Sequence, residues 1–355
     1  MRYFCSLILL CALAACDAPP PTEPEREAPI AAQPETHVSD QQLSEQLWRQ
    51  LATRLNTLTK HCEQQHDLIE SFLAAPGAQS LQQAQTGWRT LHTQLAKTAP
   101  VHGLASSSPD LFAQLKRQLN RIAPYPIAPG YLDSINGYPY SGLIHDFSVP
   151  ISRDTLRNQH QLTGESEVLL GLHAQEFFLF GEGGTRTAAD FIQQTQDTEQ
   201  LSAHQRPENR RRTFLRLNSR LLCDDMQTLS TNLTAPSAPY IGLPAASQLA
   251  LWHKAIAAEL DTADVNHCDF APGGCPRAAP ILRATKQILA LTDESSPNLI
   301  ADDPRLKQKL QQLSQTLPDK AAGAKQTPAQ TPPSNSKSQQ SPDESGDPPP
   351  APDGQ

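Results

Sequence analysis

Aromatic residues are scarce, at 5% of the 355-residue chain, and no stripe of lysine and arginine is spaced to follow a phosphate backbone. Together these argue against nucleic acid as a partner. Positive charge is short overall, with a formal net charge of −8, so the surface has no general attraction for polyanions. The strict apolar–polar alternation of a half-buried strand is almost absent, which removes sheet architectures from consideration. Nor does any apolar run approach the roughly 20 residues that a membrane-crossing helix needs.

The N-terminus carries an export signal instead. Met1, Arg2 and Tyr3 make a short basic start, followed by the uncharged apolar run FCSLILLCALAA at residues 4–15. That run is too short to stay in a bilayer and has the flanks of a cleaved leader. Leu13, Ala14, Ala15 and Cys16 resemble a lipobox, which places lipid on Cys16 and makes residues 1–15 a signal peptide. Several acyl chains on one residue give stable anchoring where one chain is marginal. The protein is therefore expected in a bacterial cell envelope, anchored by lipid and facing the periplasm. Asp17 resembles an inner-membrane retention signal of enteric-type bacteria, and the choice between inner and outer membrane stays open. The 32 prolines concentrate in residues 16–37, read as a tether, and in residues 318–355, read as a tail. Both stretches lack the apolar residues that would offset the entropy of ordering them. Residues 38–317 form the folded domain.

Within that domain the apolar residues recur at helical spacing. Leu43, Leu47, Leu51, Leu55, Leu58, Cys62, Ile69 and Phe72 make one face over 38–73. Ala84, Trp88, Leu91 and Leu95 repeat the pattern over 81–97, as do Phe112, Leu115, Leu119 and Ile122. Phe214, Leu217, Leu221, Met226, Leu229 and Leu233 mark a stripe over 208–233, and weaker helices are expected at 245–261, 278–291 and 304–317. Helices that each hide one stripe assemble as a bundle, so the fold class is all-α.

Without the leader and Cys16, four cysteines remain: Cys62, Cys223, Cys268 and Cys275. An even number in an exported domain points to disulfides. Cys268 and Cys275 bracket DFAPGG, a turn-rich loop that can close on itself, and elimination then pairs Cys62 with Cys223. A metal–thiolate cluster is the alternative, although the CxxC spacing typical of zinc sites is missing.

Two segments depart from the helical pattern. Residues 123–158 hold Tyr125, Tyr131, Tyr138 and Tyr140 among many glycines and prolines, and read as a long loop of the kind that is often functional. Residues 165–180, ESEVLLGLHAQEFFLF, read as an almost wholly apolar helix in which His173 and Glu176 stand three apart on one face. Groups so placed can touch a common ion, and a buried carboxylate demands a partner or a cation. Gly171, just before them, allows a close backbone approach at a cost of about 1 kcal/mol in helicity.

These residues carry a family resemblance. GLHAQEFFLFG at 171–181 resembles the GxHxxE signature of imelysin-like proteins, and PGYLDSINGYPYSGLIHD at 129–146 resembles that family's other characteristic block. The likeness continues more loosely through NRRRTFLRLNSRLLCDDM at 209–226 and covers about residues 40–260. It implies a helical fold of two bundle-like halves, an exported or membrane-tethered location and an association with iron acquisition. Gly171, His173 and Glu176 match the motif, while Asp133, Tyr138 and Tyr140 are carried over as lining of the same cleft. The last third, with its Cys268–Cys275 insertion, departs from the family pattern.

Three functions follow. The first is a non-catalytic binding protein in which His173 and Glu176 hold one divalent or ferric ion, iron or zinc, or a metal chelate. The second is a metal-dependent peptidase. It lacks the paired histidines of an HExxH helix and would need further ligands, from His145 and Asp146 or from Glu63, His66 and Asp67. The third is an envelope lipoprotein whose helical domain displays an interaction surface.

Overall fold

The computed structural model describes residues 39–263, 268–275 and 277–289, with isolated positions between 304 and 315. Cys16, the leader, the tether and the tail lie outside the described residues.

The first helix, α1 (Asp40–Ala74), starts where the sequence tells it to. The Ser39 side chain accepts from the Gln42 backbone N–H, and the Gln42 side chain answers at the Ser39 backbone, a reciprocal cap. Its leucines from Leu43 to Leu58, with Ile69 and Phe72, are fully buried. Each such side chain contributes about 1.5–3 kcal/mol of transfer free energy. The second helix, α2 (Ala78–Ala96), packs along α1, as does α8 (Pro207–Thr234), which begins on a proline that needs no N–H partner at that position. A disulfide between Cys62 and Cys223 ties α1 to α8, and a second joins Cys268 to Cys275. Both pairings are those the sequence implies.

Between these come α3 (Pro100–Ser107), α4 (Ala113–Ile122), the single turn α5 (Pro129–Leu132), α6 (Arg153–Gln159) and α7 (Leu172–Phe180). After α8 come α9 (Ala245–Asp261) and α10 (Ala278–Leu289). Helix α3 was not anticipated: it is short, starts on Pro100 and packs against α9. A Cβ on Gly103 would lie 2.0 Å from the Ala255 carbonyl oxygen, so glycine sets how closely those two helices meet. Of 304–317, the described positions are helical. Among the described residues there is no sheet, only an isolated bridge between Ile135 and Tyr138. None of the described helices is long and apolar enough to cross a membrane.

Every one of the nine residues of α7 is buried, and the helix packs between α2 and α8. The expected helix over 165–180 begins late, at Leu172, for a local reason. Gly171 holds φ at 89°, and a Cβ there would sit 2.7 Å from the Ile122 carbonyl oxygen and 2.8 Å from that of Arg121. The residues just before it are not helical, and the Leu169 and Leu170 N–H groups donate to Nδ1 of His160. Burial, the largest influence, pushes His160 down to about 4, and its Nε2 meets the Asn120 carbonyl, which pulls the other way. Gly171 thus caps the helix against the end of α4 rather than lying within it. Gly171→Ala is expected to lower stability by roughly 1–3 kcal/mol through backbone strain and the steric clash, read as a lower urea midpoint at unchanged m-value. An unchanged midpoint would refute the cap assignment.

Candidate metal site

Three donors hold α7 in place from neighbouring helices. The Trp88 indole N–H donates to the Leu172 carbonyl at 2.8 Å, and the Gln85 amide to the Leu179 carbonyl at 2.8 Å. The buried Gln65 amide reaches from α1 to the Gln175 side-chain oxygen on α7 at 3.4 Å and to the Ala84 carbonyl on α2 at 3.0 Å. Such buried polar contacts fix rotation and register, because breaking one leaves a desolvated group unsatisfied.

In this setting His173 and Glu176 face each other, with Nδ1 of His173 3.2 Å from Oε2 of Glu176. The other carboxylate oxygen, Oε1, accepts from the backbone N–H groups of Phe270 and Ala271 at 3.0 and 2.9 Å. Both of those residues lie in the loop closed by the Cys268–Cys275 disulfide. Glu176 therefore links the motif helix to that loop, and its contact with His173 fixes the imidazole orientation. A carboxylate that holds one ring nitrogen leaves the other for a ligand, the arrangement found behind metal-bound histidines.

The His173 ring forms part of the wall of a cavity of about 310 Å³, along with His92, His102, Lys116, Tyr125 and Arg277. The rings of His173 and His92 have centroids 6.1 Å apart, and the Tyr125 ring stands edge-on to His173 at 5.5 Å. Tyr125 donates to Asp269 at 3.0 Å. Burial raises the Tyr125 phenol, and Asp269 and Glu176 raise it further, so it stays protonated. Behind Arg277, at 3.7 Å, is Glu259, which burial pushes up to about 7 while Arg277 pulls it down. His92 also faces the disulfide, with Nε2 3.5 Å from Sγ of Cys268. His92, Cys268 and Cys275 each bring a potential ligand atom within 4.8 Å of the others, the two sulfurs being joined as a disulfide.

The other residues singled out from sequence sit elsewhere. Asp133 is fully buried, but in a cage of its own: Arg211 at 2.6 Å, Arg186 at 3.2 Å and His145 at 3.3 Å. Burial alone would raise this carboxyl; the close contact with His145, the hydrogen bonds from Arg211 and the charges of Arg211 and Arg186 outweigh it, holding Asp133 well below the usual range. Asp146 accepts from the Ser148 N–H, and Arg210 clamps this turn-rich stretch by donating to the carbonyls of Leu143, Ile144, Asp146 and Val149. Tyr138 and Tyr140 are 68% and 84% exposed, so they line no buried cleft. On α1, Glu63 pairs with Arg220, His66 meets the Ser219 hydroxyl, and Asp67 is exposed. None of these residues lines the cavity beside His173.

The family model for imelysin, Peptidase_M75, matches residues 50–265. The chain belongs to the imelysin family. A comparison with curated proteins found no match. The imelysin match includes α7 and its GxHxxE residues, and it reaches the edge of the disulfide loop without including Cys268 and Cys275. Sequence reasoning missed His92, His102, Lys116, Tyr125 and Arg277 as cavity residues. His92 lies in the same buried stripe as Trp88, Leu91 and Leu95, where a histidine reads as core. Tyr125 and Arg277 arrive from segments far away in the chain, and no local signal places them there.

Proposed function

We propose that this imelysin is a non-catalytic binding protein whose cargo is a metal ion, iron or zinc, or a small anionic metal chelate, taken up in the cavity beside His173. The observation that carries this reading is the His173–Glu176 pair. One ring nitrogen is fixed by a buried carboxylate, and the ring lines a cavity that also has His92 and His102 in its wall. Imidazoles suit first-row metals. In this reading His173 and His92 hold the metal and Glu176 orients His173. Lys116 and Arg277 supply the positive charge that an anionic chelate needs.

Hydrolysis is supported less well. The oxygens of Glu176 are taken up by His173, Phe270 and Ala271, so the carboxylate is poorly placed to activate water. Attachment to the membrane through lipidated Cys16, a periplasmic location, the boundaries at 38 and 317 and a role in iron acquisition belong to the same proposal, as does a division into two bundle-like halves. What supports them is the leader, the lipobox and the family.

Isothermal titration of chelator-stripped, oxidised protein with ferrous, ferric and zinc ions tests this reading. One site per chain is expected for at least one ion. Glu176→Gln keeps the shape of the side chain but removes the charge that stabilises a metal-bound imidazole, and should weaken binding by roughly 10–100-fold with the circular dichroism unchanged. Affinity should also fall on acidification, because protons compete with metal for imidazole nitrogen. Equal affinity in wild type and E176Q would remove Glu176 from the site.

A further inference from the structure

The loop closed by Cys268 and Cys275 does more than brace Glu176. Its two sulfurs and the His92 imidazole offer three ligand atoms within 4.8 Å, all on buried residues. The loop is held from both sides. Arg89 donates to the carbonyls of Pro272 and Gly274 at 2.6 and 3.2 Å, and Phe270 and Ala271 bond to Glu176. None of these contacts involves the sulfur atoms, so they do not depend on the bond between the two cysteines. Disulfide sulfurs are poor ligands, whereas thiolates bind metal strongly.

We infer that Cys268, Cys275 and His92 form a second metal site, open only when the disulfide is reduced and selective for a thiophilic ion, zinc or cuprous copper. The switch is a thiol–disulfide exchange. A thiolate of an exported dithiol attacks one sulfur of the Cys268–Cys275 bond, the other sulfur leaves as thiolate, and the resulting mixed disulfide is resolved by the second thiol of the reductant. The protein gains two electrons and the dithiol becomes a disulfide. Metal then binds as the two cysteines give up their protons. Tetrahedral coordination at a zinc–sulfur length near 2.3 Å asks the sulfurs to separate to about 3.8 Å. The Pro272–Gly273–Gly274 turn between them can absorb that change without moving the helices. His173, with its ring 6.1 Å from that of His92, offers an imidazole for a fourth position. A donor set of one or two nitrogens and two sulfurs differs from the imidazole donors proposed for the oxidised cavity, so redox state would select the metal.

Cobalt(II) titration of the full-length protein, after anaerobic treatment with a phosphine reductant, tests the inference. Reduced wild type should bind one cobalt with sulfur-to-cobalt charge-transfer absorption in the near ultraviolet, and oxidised wild type should show none. The C268S/C275S protein should lose that absorption while keeping Cys62 and Cys223. His92→Ala should weaken cobalt by more than the roughly tenfold that loss of an outer-shell partner costs. Alkylation mapping of reduced wild type needs no variant to fold: zinc should protect Cys268 and Cys275, and leave Cys62 and Cys223 unaffected. Absence of the sulfur band in reduced wild type, its presence in the oxidised protein or in C268S/C275S, or lack of protection would overturn the inference. Metal binding by oxidised protein at His173, without any sulfur band after reduction, would overturn it and leave the proposed function standing.

Discussion

Replacing Asp133 with asparagine is expected to destabilise the protein by about 3–5 kcal/mol, because it leaves two buried guanidiniums without their central countercharge. Arg211 approaches Asp133 through two nitrogens, at 2.6 and 3.0 Å, and Arg186 adds a third contact at 3.2 Å. The two arginine side chains are 10% and 8% exposed, so water cannot take over. Asp190 supplies attraction to both arginines, which moderates the loss without abolishing it. Arg186 also lies over the rings of Phe177 and Phe178, so the damage should spread to α7. For a domain of this size the expected fall in unfolding temperature is roughly 6–20 °C. The same cage sets a pH dependence. The folded carboxyl titrates below its unfolded value, so its stabilisation is complete above the ordinary carboxylate range and is lost as pH falls through that range toward the depressed value. Asparagine should remove that acid-side slope together with the stability. A D133N protein within about 1 kcal/mol of wild type would show that the cage contributes little.

Removing the Cys62–Cys223 bond is expected to cost about 5 kcal/mol by the chain-entropy relation. The two residues are 161 positions apart, so the crosslink closes most of the folded chain into one loop. The Cys268–Cys275 bond spans 7 positions and should contribute about half as much. Alanine is the right replacement at 62 and 223, since both positions are 1% exposed and a hydroxyl there would be buried. The double variant should unfold at a much lower urea concentration. Its m-value should rise, because the unfolded chain is no longer held compact. A loss of less than about 1 kcal/mol would mean that the packing of α1 on α8 already restricts the unfolded ensemble.

The long helices were legible because each has its own apolar stripe. Leu43 to Phe72 and Phe214 to Leu233 lie on the buried faces of α1 and α8, and the cysteines on those faces pair as elimination implies. Periodicity marked no stripe on α7, whose nine residues are all buried, polar His173, Gln175 and Glu176 included. A helix buried on every side has no face to mark, and its start was set by Gly171 meeting α4, a contact distant in sequence. Helix α3 is too short for a stripe to stand out. The His173–Glu176 contact could be read from their three-residue spacing, since that spacing aligns side chains on any helix. Asp133 could not be placed the same way. Its sequence block points to a cleft, yet its partners Arg186 and Arg211 come from 53 and 78 positions away, a pairing that only the tertiary fold reveals. The backbone N–H groups of Phe270 and Ala271 were invisible for a related reason: every residue but proline has one, and geometry alone decides which are used.

Anomalous diffraction from crystals of the oxidised protein, loaded with the ion that titrates most tightly and measured at that metal's absorption edge, bears most directly on the assignment of the His173 cavity. The expected result is one peak per chain within the cavity, about 2.0–2.1 Å from a ring nitrogen of His173, with Glu176 still bonded to the other nitrogen. A peak anywhere else on the chain, or a cavity without one while titration shows saturable binding, would contradict it.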